Sequence, residues 1–82
     1  MQISYKIEAI KRLKNLGPAE KHKARKKIES LLSNPTIGKR LKGEFAGLMS
    51  LRAWPLRIIY SFDFKSQTII IITVDYRGDV YK

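Results

Sequence analysis

The sequence contains no cysteine and a single histidine, His22. The first absence excludes disulfides and thiolate metal sites. The second excludes a multi-histidine zinc site. No metal and no other cofactor is expected. The longest purely apolar run is Ile69 to Ile72, far short of a membrane span. Met1-Gln2-Ile3-Ser4-Tyr5-Lys6 lacks the apolar centre of a signal peptide. These absences point to a soluble, cytoplasmic protein. What is present can build a core. Hydrophobic residues are 44% and charged residues 29% of 82 residues, enough for one domain over 1–82.

Acidic residues are also scarce, at 7 against 17 Lys and Arg, for a net charge of +10. The excess is uneven. Residues 1–57 hold 14 basic and 4 acidic side chains, whereas residues 58–82 hold three of each. Such a lopsided excess points to a polyanionic partner, nucleic acid or an acidic protein. The plainer alternative is a solvated basic surface that keeps a small chain soluble. No membrane partner is expected, because no basic stretch carries a large apolar face beside it.

Ile3, Tyr5 and Ile7 alternate with polar residues, as in a short half-buried strand. From Glu8 the period changes. Ile10, Leu13 and Leu16, with Ala9 beside them, fall on one helical face, and Lys11, Arg12 and Lys14 fall outside it. Gly17-Pro18 breaks this helix and opens a second, expected over Pro18 to Ser33. Its apolar face is Ala24, Ile28, Leu31 and Leu32; Lys21, Lys23, Arg25, Lys26 and Lys27 face solvent. Asn34-Pro35 ends it, and the two helices form a hairpin.

The period then falls to two. Strands are expected over Leu48 to Ala53, Leu56 to Asp63 and Thr68 to Asp75, with Trp54-Pro55 and Phe64-Lys65-Ser66-Gln67 between them. Short connections imply an antiparallel meander. In the middle strand Leu56, Ile58, Tyr60 and Phe62 share the face expected to meet the helices. The run Ile69 to Ile72 suits a central strand covered on both faces. The fold class is α+β: a strand, a helical hairpin, then a three-stranded antiparallel meander with the helices packed on one sheet face.

On the other sheet face, alternation groups Leu48, Ser50 and Arg52 on the first meander strand and places Arg57 on the second. Arg77 and Tyr81 share a parity in the C-terminal segment. Three arginines and a tyrosine can thus converge on one surface, rimmed by Lys39, Arg40 and Lys42 from the preceding loop. Arginine suits phosphate because its planar fork binds two oxygens together. Tyr81, or Trp54 nearby, can stack on a base. Each has a plainer reading. The arginines can be exposed strand or turn residues, and Tyr81 and Trp54 can be packing residues. His22 and the helix lysines read as a solvated face.

The order of elements and five short motifs resemble the RelE/ParE superfamily of toxin–antitoxin toxins. The motifs are Lys11-Arg12-Leu13-Lys14-Asn15-Leu16-Gly17-Pro18, Leu41-Lys42-Gly43, Leu51-Arg52, Leu56-Arg57-Ile58-Ile59-Tyr60 and Arg77-Gly78-Asp79-Val80-Tyr81. The resemblance covers nearly the whole chain, and the paired strand arginines and late Arg-x-x-Val-Tyr resemble the RelE branch most. It implies a ribosome-dependent endonuclease of messenger RNA that arrests translation without a metal. Arg57 and Arg77 would hold the scissile phosphate. Arg52 would assist, and Tyr81 would orient the nucleophile or a base. Lys39, Arg40, Lys42 and Trp54 would contact RNA. The implied partners are a cognate acidic antitoxin, the ribosome and its message. Leu48 and Ser50 stand where well-known members carry lysines, which leaves the general base unassigned. Two alternatives stay open: a ParE-like gyrase inhibitor, and a non-catalytic module of the same fold that binds RNA or an antitoxin.

Overall fold

The computed structural model describes residues 1–76. Arg77 and Tyr81 lie outside the described residues. The chain runs β1 (Gln2–Tyr5), α1 (Ile7–Lys14), α2 (Pro18–Ser30), β2 (Lys39–Arg40), a 3-10 turn (Gly43–Phe45), β3 (Met49–Ala53), β4 (Leu56–Asp63) and β5 (Thr68–Tyr76). The expected meander is β3–β4–β5. Two strands widen it into a five-stranded sheet of order β1-β5-β4-β3-β2. β1 joins β5 in parallel, and every other pairing is antiparallel.

Local signals place the helix ends. Pro18 occupies the first turn of α2, where its missing N–H is no loss, and Gly17 precedes it as the cap residue. Glu8 and Glu20 lie in the first turns of their helices, and the last turns are basic, matching each helix dipole. Both helices stop earlier than the periodicity suggests. Their last residues tighten into i→i+3 turns, with Leu16 N–H on Leu13 C=O at 3.3 Å and Leu31 N–H on Ile28 C=O at 3.0 Å.

The core lies between the hairpin and one sheet face. Ala9, Ala24, Ile28 and Leu31 meet Leu51, Leu56, Ile58, Tyr60, Ile69, Ile71 and Val74. Leu56, Ile58 and Tyr60 are fully buried, so the face assigned to β4 holds, with Phe62 half-buried at its end. Burying one such aliphatic side chain contributes about 1.5–3 kcal/mol.

Three expectations need correction. Ile10 does not face the core; it is 43% exposed, and Ala9 is fully buried in its place. Ala9, Leu13 and Leu16 form the inner stripe, and a small alanine lets the α1 backbone approach β5. Leu32 is likewise 46% exposed, because α2 has ended before it. The isoleucine strand is internal but not central: β4 holds the middle of the sheet, and β5 lies between β4 and β1.

Candidate nucleic-acid interface

The β3–β4 register sets the surface opposite the helices. Arg52 on β3 stands directly across from Arg57 on β4, and Arg57 stands across from Asp75 on β5. The next row reads Lys39, Ser50, Ile59 and Thr73 across β2 to β5. Directly opposed strand residues carry Cβ atoms about 4.5–5.5 Å apart, and like charges in that position repel. Two facing arginines concentrate positive charge on this face, with the Asp75 carboxylate next in the row.

A hollow of about 320 Å³ opens over these residues, lined by Ile37, Gly38, Lys39, Ser50, Leu51, Arg52 and Arg57. Arg52 is exposed and Arg57 half-buried. Partial burial strengthens a guanidinium's pull on a phosphate, because less water screens it. Ser50 is buried beneath the hollow, and Ile59 is buried beside it on the same face. Thr73 Oγ1 is buried there with no hydrogen-bond partner among the described residues.

Tyr60 shapes this hollow from the core side. Its hydroxyl donates to the Pro35 carbonyl at 2.9 Å and accepts the Gly38 N–H at 2.9 Å. These bonds pin the loop that delivers Lys39 to β2. Gly38 is required by space: a Cβ there would lie 2.7 Å from the Tyr60 ring and hydroxyl and 3.0 Å from Ser50 C=O. Burial pushes the Tyr60 hydroxyl pKa above its ordinary 10.0, partly countered by the Gly38 hydrogen bond.

Asp75 completes the row with a negative charge. Arg12 of α1 reaches it, Nη1 to Oδ2, at 2.8 Å, and its other oxygen accepts the Tyr76 N–H at 2.8 Å. The carboxylate at the end of the row is thus held by α1 and by its own backbone.

The remaining sequence candidates divide. Lys39 lies in β2 rather than a loop, and joins the arginine hollow. Arg40, one residue on, faces the other way and lines a separate hollow with Leu48, Phe62 and Phe64. Lys42 is exposed two residues past β2 and does not line the arginine hollow. Trp54, at the β3–β4 turn, stands beside the α2 lysines instead of the arginines. The structure therefore brings together Arg52, Arg57 and Lys39, and not Arg40, Lys42 or Trp54. Sequence reasoning missed Gly38, Tyr60 and Asp75 as shapers of the site. Parity along β5 could have found Asp75, had the strand been regular. A bulge opposite Ile59/Tyr60, where Ile72 has no partner, shifts that parity within an unbroken isoleucine run. Among the described residues no group of three or more His, Asp or Glu side chains could hold a metal ion.

Residues 3–81 match the family described as the ParE toxin of type II toxin–antitoxin system, parDE. Toxin RelG of Mycobacterium tuberculosis is 39% identical over 46 residues, or 56% of this chain and 53% of RelG. The match thus spans about half the length of that relative. Among solved structures, the toxin–antitoxin complex RelBE2 from Mycobacterium tuberculosis superposes with a TM-score of 0.85 at 28% identity, covering 93% of this chain and 96% of that one. The archaeal RelE–RelB complex from Pyrococcus horikoshii OT3 gives 0.80 at 23% identity, covering 95% and 96%. The two-helix, five-stranded architecture is shared with both.

Proposed function

This chain belongs to the ParE toxin family of type II toxin–antitoxin systems and has a RelE-like fold, and on that premise we propose that it is a ribosome-dependent endonuclease of messenger RNA. The observation that carries this reading is the pair of facing arginines, Arg52 and Arg57, over an open hollow. Paired arginines on one strand surface suit recognition of a phosphate.

The reaction is attack of a ribose 2′-oxygen on the adjacent phosphorus. A 2′-O–P bond forms and the P–O5′ bond breaks, leaving a 2′,3′-cyclic phosphate and a 5′-hydroxyl. One proton leaves the 2′-hydroxyl and one reaches the 5′-oxygen. Extra negative charge gathers on the phosphoryl oxygens in the transition state, and Arg52 and Arg57 stabilise it there. Lys39 adds a point charge at the rim. Arg77 and Tyr81 are proposed to close the set, the first on the phosphate and the second on the nucleophile or a base. A tyrosine of ordinary pKa is a weak base at neutral pH, so a ribosomal group is proposed to share the proton transfer.

An acidic antitoxin is the proposed protein partner, as the solved neighbours are toxin–antitoxin complexes and the chain carries +10. The test is induction in a bacterial cell with mapping of new 5′ ends on translated messages. Cuts within translated regions that disappear in Arg57→Ala and Arg77→Ala support the reading. Unchanged toxicity in both variants refutes it. The ParE description of the matching family favours one second reading, gyrase inhibition. That reading predicts growth arrest with DNA-damage signalling and no cuts.

A further inference from the structure

Trp54 is 60% exposed at the β3–β4 turn and is the chain's one tryptophan. A hollow of about 330 Å³ lies against it, lined otherwise by Ala53 and by His22, Lys23, Lys26 and Lys27 of α2. No carboxylate lines that hollow. Residues 22 and 26, and 23 and 27, are one helical turn apart, so the four side chains form two neighbouring rows on one face of α2. The geometry is held in place by polar contacts. Lys23 Nζ donates to the Trp54 carbonyl at 3.1 Å, and the Tyr76 hydroxyl donates to Glu20 Oε1 at 3.0 Å, tying α2 to the turn and to the end of β5.

The hollow shares no lining residue with the arginine hollow, and the β3–β4 turn lies between them. Arg52 lies one residue before the end of β3, and Trp54 opens the turn that follows, two residues on. A strand of RNA held at Arg52 and Arg57 can therefore pass over the turn onto the α2 side.

We propose that the hollow between Trp54 and the lysine face of α2 is a second RNA subsite. It takes a nucleotide flanking the scissile phosphate, with the base stacked on the indole and the phosphates on Lys26 and Lys27. The proposal rests on RNA being the partner in the reading above. Three features favour single-stranded RNA over an acidic peptide. An exposed indole offers a base its flat face. The surrounding ammonium groups are point charges suited to phosphate oxygens. The hollow also lies across one turn from the strand arginines.

Because Trp54 is the sole tryptophan, its fluorescence reports this subsite directly. The probe is a short 2′-O-methyl oligoribonucleotide, which cannot be cleaved by 2′-oxygen attack. It should quench the emission at low salt, and the quench should be lost as salt rises. Lys26→Gln with Lys27→Gln should lower the salt slope of binding by about 1.4, from roughly 0.7 per phosphate contact on a single strand. A charge-matched control, Lys6→Gln with Lys65→Gln on other surfaces, should leave slope and quench unchanged. Trp54→Ala, followed by anisotropy of a labelled probe, should weaken binding by roughly 5- to 150-fold, the range for loss of one stacked base. Trp54→Phe should recover part of it. Absence of quench would overturn the proposal. So would equal loss in the control pair, or equal quenching by poly-glutamate, which would make the face a protein contact. The readout needs no cleavage. Cuts in cells without a quench would remove the subsite alone, and a quench without cuts would remove the endonuclease reading alone.

Discussion

Two basic regions flank the β3–β4 turn, and they are built in opposite ways. On one side Arg52 and Arg57 stand on paired strands whose register leaves each no choice of neighbour. On the other, Lys26 and Lys27 project from an exposed helix face on long stems, beside Lys23, which donates to the Trp54 carbonyl. The strand pair keeps like charges close together against their repulsion. The helix lysines spread theirs over about one turn of exposed surface, where water screens them. Rigid, partly buried charge suits the stabilisation of a transition state; solvated charge suits the capture of a strand. The same sign of charge is thus held in two different ways on the two sides of the turn.

The largest effect should come from the strand side. Arg57→Ala should lower cleavage of translated messages by about 10²- to 10³-fold, the usual loss when one preorganised charge contact is removed from a transition state. Unchanged melting of the purified variant would show that the contrast concerns chemistry and not folding.

Next in size are changes beneath the arginine hollow. Gly38→Ala forces a methyl against the Tyr60 ring and Ser50 C=O, and should destabilise the chain by about 1–3 kcal/mol in urea unfolding. Tyr60→Phe removes the partner of both Gly38 N–H and Pro35 C=O, and should cost about 1–2 kcal/mol. It should also change the alkaline limb of stability. The folded state holds the Tyr60 proton more tightly than the unfolded chain, so this contribution is complete below pH 10.0 and falls as pH rises beyond it. Tyr60→Phe should make the decline above pH 10.0 shallower. An unchanged decline would mean that other groups cause it.

Smaller still is Arg12→Ala, which loosens the end of the row by freeing Asp75. Arg12 is 45% exposed at its side chain, so the loss should be at most about 1 kcal/mol. The smallest effect belongs to the helix side. Lys26→Gln should change the unfolding free energy by less than about 0.5 kcal/mol. A larger shift would mean that the α2 lysines are structural and that the two regions are less different than their geometry implies.

Much of the scaffold was legible in the residues. The change from period two to period 3.6 after Ile7 marked the hairpin, and alternation in Leu56 to Phe62 separated core from surface within β4. Arg52 and Arg57 were placed on one face by parity alone, and the register confirms that they are direct neighbours. Other features left no trace. β2 is two residues long and exists through its bonding to β3, so no periodicity could reveal it. Ile10 and Ala9 both fit an apolar stripe, and only the angle at which α1 meets β5 decides between them. Trp54 was grouped with the arginines because it is close to them in sequence, yet the turn carries it to the α2 side.

The sequence by itself determined the class of elements, their order, the basic excess and the two strand arginines, because these follow from local periodicity and composition. Tertiary structure alone decided which basic residues stand together. Lys39 joins Arg52 and Arg57 through β2–β3 pairing, Arg40 turns away one residue later, and Asp75 enters the row through a bulge at Ile72. Pairing register is a long-range property: it depends on which strands meet and where a residue is skipped, and a shift of one residue moves a side chain to the opposite face.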